Sequence, residues 1–150
     1  MAATRTATVT WNGTLAEGSG TVSAGTSGLF TDLPVSWGSR TEGYDGRTSP
    51  EELLAAAHAS CFSMALAGAL ARAGTPVNHV HVSATVTFDK VGESWTVTRS
   101  ELDVVGTVPG IDDAAFDAAA ETAKSNCPVS RALAGNVELS VSATLEDHHE

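Results

Sequence analysis

Cysteine and basic residues are both scarce in this chain of 150 residues, and each scarcity excludes a class of protein. Two cysteines, Cys61 and Cys127, are too few for the disulfide framework of a small secreted domain. The 8 Lys and Arg do not cluster, and the formal net charge is −10, so we expect no nucleic-acid partner. The N-terminal segment lacks the apolar run of a signal peptide, which predicts a cytoplasmic protein without a structural disulfide.

The longest uncharged stretch, residues 53–71, is long enough to suggest a transmembrane helix. Nearly half of it is alanine, which is only weakly apolar, and it contains His58 and several small polar residues or glycines. The sequence on either side of this stretch has the alternating pattern of amphipathic strands. We therefore expect the central helix of a soluble protein and no membrane partner.

Local signals place the ends of this central helix. Ser49 is suited to cap it, Pro50 fits the first helical position, and Glu52 completes a capping box with Ser49. Gly74 and the following Pro76 end it about 23 residues later. Because the helix is apolar on nearly all sides, we expect a second subunit to cover part of it.

Periodicity predicts six strands and two further helices around the central one. There is no linker, so we expect one domain over residues 1–150 with a frayed tail at 146–150. The order β-β-β-α-β-β-α-α-β predicts an α+β fold with antiparallel sheets around a long buried central helix. The predicted elements are strands near 5–12, 18–24 and 28–38, a loop over 40–48, strands near 80–88 and 95–105, a helix from Asp112 or Asp113 to about Lys124, a short helix to Leu133, and a strand over 137–145.

The two thiols differ in their local surroundings. Cys127 precedes Pro128 at the start of the short helix, where backbone N–H groups favour a thiolate. Cys61 lies in the middle of the central helix among alanines, and burial alone would raise its pKa and make it inert. From the residues alone, Cys127 is therefore the better nucleophile, and Cys61 needs a cation brought in by the fold.

Arg40 and His58 are the residues that could activate Cys61. Arg40 opens the loop that leads into the central helix. His58 lies three residues before Cys61 on the same helix face, so it is either a catalytic base or a hydrogen-bonded core residue. A zinc site formed by the two cysteines with His58 and His79 or His81 is an alternative, although the spacing fits no local zinc pattern. A binding protein or stress-related scaffold with non-catalytic thiols is another.

Both cysteine segments resemble those of the OsmC/Ohr family of thiol-dependent hydroperoxide reductases. The segments are S-P-E-E-L-L-A-A-A-H-A-S-C-F-S-M-A-L and A-K-S-N-C-P-V-S-R-A-L, and further similar motifs are W-N-G-T, G-x-G-T-V-S, S-R-T-E-G, F-D-K-V and V-P-G-I-D. The resemblance covers essentially the whole chain. Arg40 in S-R-T-E-G favours the OsmC branch, since the Ohr branch has its arginine earlier, where this chain has Gly18, Ser19 and Gly20.

The resemblance implies an intertwined homodimer with two active sites at its interface and no metal or organic cofactor. It implies that Cys61 is the peroxidatic thiol, that Cys127 resolves it as a disulfide, and that Arg40 and Glu51 complete the site. It thereby reverses the nucleophile favoured by the residues alone, because a nearby arginine outweighs one helix terminus. The implied substrate is an organic hydroperoxide, and the implied reductant is an external dithiol such as a lipoylated protein.

Glu51 lies ten residues before Cys61 on the predicted helix, which corresponds to roughly 15 Å. That spacing is too long for direct interaction within one helix. If Glu51 orients Arg40 beside Cys61, we expect it to come from the partner subunit or to reach across an antiparallel crossing of the two central helices. The alternative is that Glu51 only favours the N-terminus of the helix.

Overall fold

The computed structural model describes residues 1–146, and this range contains six strands and four helices. Of the tail predicted to be frayed, residues 147–150 lie outside the described range. The chain divides into two compact units, Met1–Leu53 and the described residues from Leu54 onward. The elements are β1 Ala7–Asn12, β2 Ser19–Ala24, β3 Leu33–Val35, α1 Trp37–Thr41, α2 Pro50–Arg72, β4 His79–Val91, β5 Ser94–Thr107, α3 Asp113–Asn126, α4 Pro128–Leu133 and β6 Glu138–Leu145.

The first unit contains an antiparallel meander in the order β1-β2-β3. The strands predicted near 5–12 and 18–24 pair as a hairpin, and Gly13 supplies the positive φ of 96° that its connection requires. The third strand is shorter than predicted, and α1 replaces its expected end. Ser36 starts this helix because its hydroxyl accepts from the Ser39 N–H while the Ser39 hydroxyl accepts from the Ser36 N–H. A helix of five residues has no periodicity to reveal it.

The second unit contains a three-stranded sheet in the order β4-β5-β6. The long β4–β5 hairpin is antiparallel, as predicted. The expectation of antiparallel pairing throughout was wrong for β6, which pairs with β5 in parallel. The cause is the connection: α3 and α4 carry the chain back along the sheet, so that β6 runs in the direction of β5.

The start of α2 is as predicted in all but one hydrogen bond. The Ser49 hydroxyl accepts from the Glu52 N–H at 3.1 Å, and Pro50 is the first residue of the helix. The Glu52 carboxylate, however, accepts from the Thr48 hydroxyl at 2.7 Å, where a capping box would have it accept from the Ser49 N–H. Gly74, with a φ of 84°, follows the helix end.

Burial of α2 within the single chain is concentrated on one stripe. Its fully buried or nearly buried side chains recur at intervals of four or seven residues: Glu51, His58, Phe62, Leu66 and Leu70. Other positions are half-buried or exposed, and Met64 reaches 73% exposure. By length and composition alone, α2 could also cross a membrane, a property that core helices of soluble proteins share.

The hydrophobic core lies in the second unit, between α2, α3 and the sheet. Its members are Phe62, Leu66, Leu70, Leu102, Val104, Val108, Phe116, Ala120, Ala123 and Cys127. Gly106 lets α3 approach β5 closely, since a Cβ at this position would lie 2.8 Å from the Phe116 ring and 3.0 Å from Val80. The second cysteine is thus a core residue, anchored where α3 ends and α4 begins.

Candidate active site

Arg40 and Glu51 form a two-point ion pair within the first unit. The guanidinium donates from Nε to Oε1 at 2.8 Å and from Nη2 to Oε2 at 3.2 Å. The pair is well shielded, with side-chain exposures of 28% for Arg40 and 9% for Glu51. Arg40 also lies over the Trp37 ring, 5.5 Å from its centroid. The carboxylate therefore fixes the orientation of the guanidinium plane.

Local hydrogen bonds position the helix that carries Arg40. The Ser39 hydroxyl donates to the Thr48 carbonyl at 2.7 Å, which ties α1 to the residues that precede α2. Arg40 was predicted to lie in a loop, whereas it lies in the last turn of α1. The Arg40–Glu51 pair lies within one chain, and the role of Glu51 in orienting Arg40 beside Cys61 stays a prediction.

Arg40 lines an apolar groove of about 520 Å³ in the first unit. Arg40 is the only charged side chain in the lining; the other residues are Val9, Trp11, Leu15, Val22, Val35, Ser36, Trp37, Pro50 and Leu53. A groove of this kind can accommodate an apolar group while a cation meets its polar end.

The two cysteines are adjacent in the second unit, and both are free thiols. Cys61 is half-buried on α2, Cys127 is completely buried, and the two thiols lie close enough for each to change the pKa of the other. Cys127 is the residue between α3 and α4, with Pro128 as the first residue of α4. The structure thus brings together two residues that lie 66 positions apart in the sequence.

The electrostatic surroundings of the two thiols differ. Burial raises the pKa of Cys61, and the neighbouring Cys127 raises it further, against smaller opposite effects from the Val129 backbone and the charge of Arg131. Burial also opposes ionisation of Cys127, but the Ser130 backbone, the Cys61 thiol and the Ser130 hydroxyl, as polar groups near its sulfur, lower its pKa overall.

This difference within one chain agrees with the local argument that Cys127 is the better thiolate. The Ser130 N–H faces the Cys127 sulfur without reaching the geometry of a capping hydrogen bond, so its effect on that sulfur is electrostatic. Sequence analysis overlooked Arg131, whose charge acts on Cys61 and which lies four residues after Cys127.

His58 is completely buried, and both of its ring nitrogens are occupied. Nδ1 lies 2.6 Å from the Ser100 hydroxyl, and Nε2 lies 2.8 Å from the Ser130 hydroxyl. Burial lowers the pKa of His58, so the imidazole is neutral. These contacts agree with the interpretation of His58 as a hydrogen-bonded core residue. Neither serine was predicted to contact His58. Ser100 could have been noticed, because it alternates with the buried Leu102 and Val104 along β5 and so lies on the buried face of that strand.

Within residues 1–146, no three His, Cys, Asp or Glu side chains cluster as a metal ion would require. His79 and His81 are exposed on β4, and serine hydroxyls occupy the ring of His58. The zinc alternative therefore lacks a set of ligands in the described chain.

Comparison with known proteins assigns the chain to a family. The family model for the OsmC-like protein matches residues 43–142. The chain is 42% identical to Peroxiredoxin OsmC of Escherichia coli K12 over 129 residues, which is 86% of this chain and 89% of that protein. The chain belongs to the OsmC family. The predicted membership is therefore confirmed.

Solved structures show that the fold is that of OsmC and Ohr proteins. The OsmC-like protein of Mycoplasma pneumoniae superposes with a TM-score of 0.74 at 14% identity, covering 98% of this chain and all (100%) of that one. The organic hydroperoxide resistance protein OhrB of Bacillus subtilis superposes with a TM-score of 0.68 at 23% identity, covering 94% of this chain and 98% of that one. This OsmC-family chain therefore has the predicted α+β architecture, with the parallel pairing of β6 as the correction.

Proposed function

We propose that this OsmC-family chain is an enzyme, a cysteine-based peroxidase that reduces organic hydroperoxides to alcohols. The observation that carries the proposal is the proximity of two free thiols, Cys61 and Cys127, where α2 meets the hydrophobic core. Its similarity to a curated peroxiredoxin supports the same activity. The apolar groove beside Arg40 suits the organic part of such a substrate better than hydrogen peroxide.

The proposed cycle uses both cysteines. The Cys61 thiolate attacks the O–O bond, an alkoxide leaves and takes up a proton to become the alcohol, and Cys61 becomes a sulfenic acid. The Cys127 sulfur then attacks this sulfenic acid, water is released, and a Cys61–Cys127 disulfide forms. An external dithiol reduces the disulfide through two exchange steps and is itself oxidised.

Assigning the peroxidatic role to Cys61 requires a cation, because burial and Cys127 both raise its pKa. We assign this function to Arg40, held by Glu51, together with the nearby charge of Arg131. A cation at the site favours the thiolate and stabilises the negative charge that develops on the leaving oxygen. Cys127 then acts as the resolving thiol.

We further propose an intertwined homodimer in which Arg40 and Glu51 serve Cys61 of the partner subunit. Ten helical residues separate Glu51 from Cys61, corresponding to about 15 Å. The apolar positions of α2 that stay half-buried or exposed in one chain, Met64 among them, give a second copy a surface to cover. The two compact units then belong to one OsmC-like domain, since the family match runs across both.

Thiol counting tests the activity. Reduced protein receives one equivalent of tert-butyl hydroperoxide, and free thiols are counted after denaturation. We expect the count to fall from two to none in the wild type, and Cys61→Ser to retain its remaining thiol. If both thiols persist in the wild type, the chain is not a peroxidase and its cysteines are idle, as in a binding protein.

A mixed-subunit assay tests the dimer. Arg40→Lys homodimers should be strongly impaired and Cys61→Ser homodimers inactive, whereas a mixture that exchanges subunits should recover activity, because one hybrid site then has both intact residues. No recovery in demonstrated heterodimers would place Arg40 and Cys61 of one site on the same subunit.

The reductant and the location complete the proposal. We propose dihydrolipoamide, or a lipoylated protein, as the dithiol and the cytoplasm as the location. Turnover with dihydrolipoamide should exceed turnover with the monothiol glutathione at equal thiol concentration, because a dithiol completes the second exchange within one molecule. Equal turnover would contradict a specific dithiol reductant.

A further inference from the structure

A line of buried hydrogen bonds runs from the sheet through His58 to the first turn of α4, beside the second cysteine. Ser100 on β5 contacts His58 Nδ1 at 2.6 Å, and His58 Nε2 contacts the Ser130 hydroxyl at 2.8 Å. Ser130 lies three residues after Cys127, and its hydroxyl lowers the pKa of that thiol. Ser130 is 1% exposed, and Ser100, His58 and Cys127 are 0% exposed. Bulk water therefore cannot substitute for any link in this line.

The line has a direction because a neutral imidazole has one donor and one acceptor. If the Ser130 hydroxyl donates to the Cys127 sulfur, its oxygen is free to accept from His58 Nε2–H. Nδ1 then accepts from the Ser100 hydroxyl. The opposite tautomer would turn the Ser130 proton onto Nε2 and away from the sulfur. The first direction is the one that stabilises a Cys127 thiolate, because a thiolate sulfur can accept a hydrogen bond but cannot donate one.

We propose that His58 is a positioning residue: through Ser130 it directs a hydroxyl proton onto Cys127 and makes Cys127 the leaving thiolate when the Cys61–Cys127 disulfide is reduced. This inference rests on the proposed peroxidase cycle and deepens its reductive half.

Accessibility selects the sulfur that the reductant attacks. Cys61 is half-buried while Cys127 is fully buried, so an external thiolate reaches Cys61 first. The new bond forms between the reductant sulfur and Cys61, the S–S bond breaks, and its electron pair goes to Cys127. The Ser130 hydroxyl stabilises that charge, and a leaving thiolate of lower pKa departs faster. The second thiol of the reductant then displaces Cys61, and the reductant leaves as a disulfide.

The experiment measures the pKa of Cys127 in a Cys61→Ala background, where one thiol titrates alone, by the ultraviolet absorbance of the thiolate. We expect Ser130→Ala to raise this pKa by about one unit, since it removes a hydrogen bond to a charged group. Ser100→Ala should raise the pKa of Cys127 less. The Ser130 hydroxyl remains in this variant, but His58 no longer has the partner at Nδ1 that fixes its tautomer and so the direction of the Ser130 proton. Ser140→Ala, the same change at an exposed position of β6, is the matched control and should not move it.

Two further readouts separate positioning from a merely structural role. Reduction of the oxidised two-cysteine protein by dithiothreitol should slow about threefold in Ser130→Ala, if the rate depends on the leaving thiol as it does on the attacking one. Nitrogen NMR of the reduced wild type should show the Nε2–H tautomer of His58. This measurement needs no variant, so it decides the question even if Ser130→Ala does not fold.

The outcomes distinguish this inference from the proposed function. An Nδ1–H tautomer, or equal Cys127 pKa values in Ser130→Ala and Ser140→Ala, would overturn the role of His58 in a protein that still consumes hydroperoxide. If the Cys127 pKa series holds but tert-butyl hydroperoxide oxidises neither thiol, the hydrogen-bond assignment is supported and the peroxidase cycle is refuted.

Discussion

Replacing Glu51 by Gln should impair the enzyme more than its small change in shape suggests. The glutamine keeps one oxygen for the Arg40 guanidinium, but its amide group presents N–H donors where the second carboxylate oxygen accepted from Nη2 at 3.2 Å. One of the two hydrogen bonds is lost, and the other loses its charge. Arg40 then retains its positive charge but not a fixed plane.

The size of the effect follows from these two bonds. A hydrogen bond to a charged group contributes about 1.5–3 kcal/mol, and the pair is mostly shielded from solvent. A loss of about 2–3 kcal/mol in transition-state stabilisation corresponds to a fall in kcat/KM of about 30- to 150-fold. The 28% exposure of Arg40 favours the lower end of this range.

The assay is steady-state reduction of tert-butyl hydroperoxide with a dithiol, and the chain offers a matched control. Glu52 lies next to Glu51 in the first turn of α2, but its partner is the Thr48 hydroxyl. Glu52→Gln removes the same charge from the same helix terminus and should change kcat/KM less than twofold, a small effect of the kind that exposed charges have on their surroundings.

A double-mutant cycle completes the test. If Glu51 acts only through Arg40, then Glu51→Gln adds nothing once Arg40→Lys has been made, and the double variant is no worse than the Arg40 single variant. Fully additive losses, or equal losses in Glu51→Gln and Glu52→Gln, would refute the idea that the pair works as one unit.

Three further predictions concern other parts of the chain. Cys127→Ser should form the Cys61 sulfenic acid but not the disulfide, so dimedone should label it stoichiometrically after one equivalent of hydroperoxide; labelling no greater than in wild type would contradict the resolving role. Gly106→Ala should lower the free energy of unfolding, measured by urea titration, by about 1–3 kcal/mol, because the new Cβ would lie 2.8 Å from the Phe116 ring. Gly43→Ala is the control: a Cβ there would have no neighbouring atom within 4 Å, so the change should have little effect. Because burial keeps His58 neutral, the free energy of unfolding should fall as the pH drops below about 6.5, by at most about 1.4 kcal/mol per pH unit. In that range the unfolded chain binds a proton that the folded chain does not. Proton NMR of His58 should show no titration near pH 6.5, and a normal titration there would contradict the burial argument.

Local chemistry made most of the fold predictable from the sequence. Ser49 and Pro50 mark the start of α2 because a cap and a fixed φ act within one turn, and the alternation in β4, β5 and β6 shows which faces are buried. The short helix α1 was missed because five residues do not show a period. The parallel pairing of β6 depends on the path of α3 and α4, which no local pattern records.

The candidate site divides in the same way. Motifs made the two cysteines, Arg40 and Glu51 the candidate site residues. They gave no sign of the serines that bond His58, because these lie 42 and 72 residues away in the chain. Single-residue arguments also treated Cys61 and Cys127 separately, although each alters the pKa of the other once they are in contact.

That contact has a kinetic consequence for survival of the enzyme. In the proposed cycle, the sulfenic acid on Cys61 is vulnerable to a second hydroperoxide, which would convert it to a sulfinic acid that a dithiol does not repair. Cys127 is already against it, and groups held in reacting position behave as if present at about 10⁵ M or more, far above any peroxide in solution. If the proposed cycle holds, the proximity of the two thiols also protects Cys61 against irreversible oxidation.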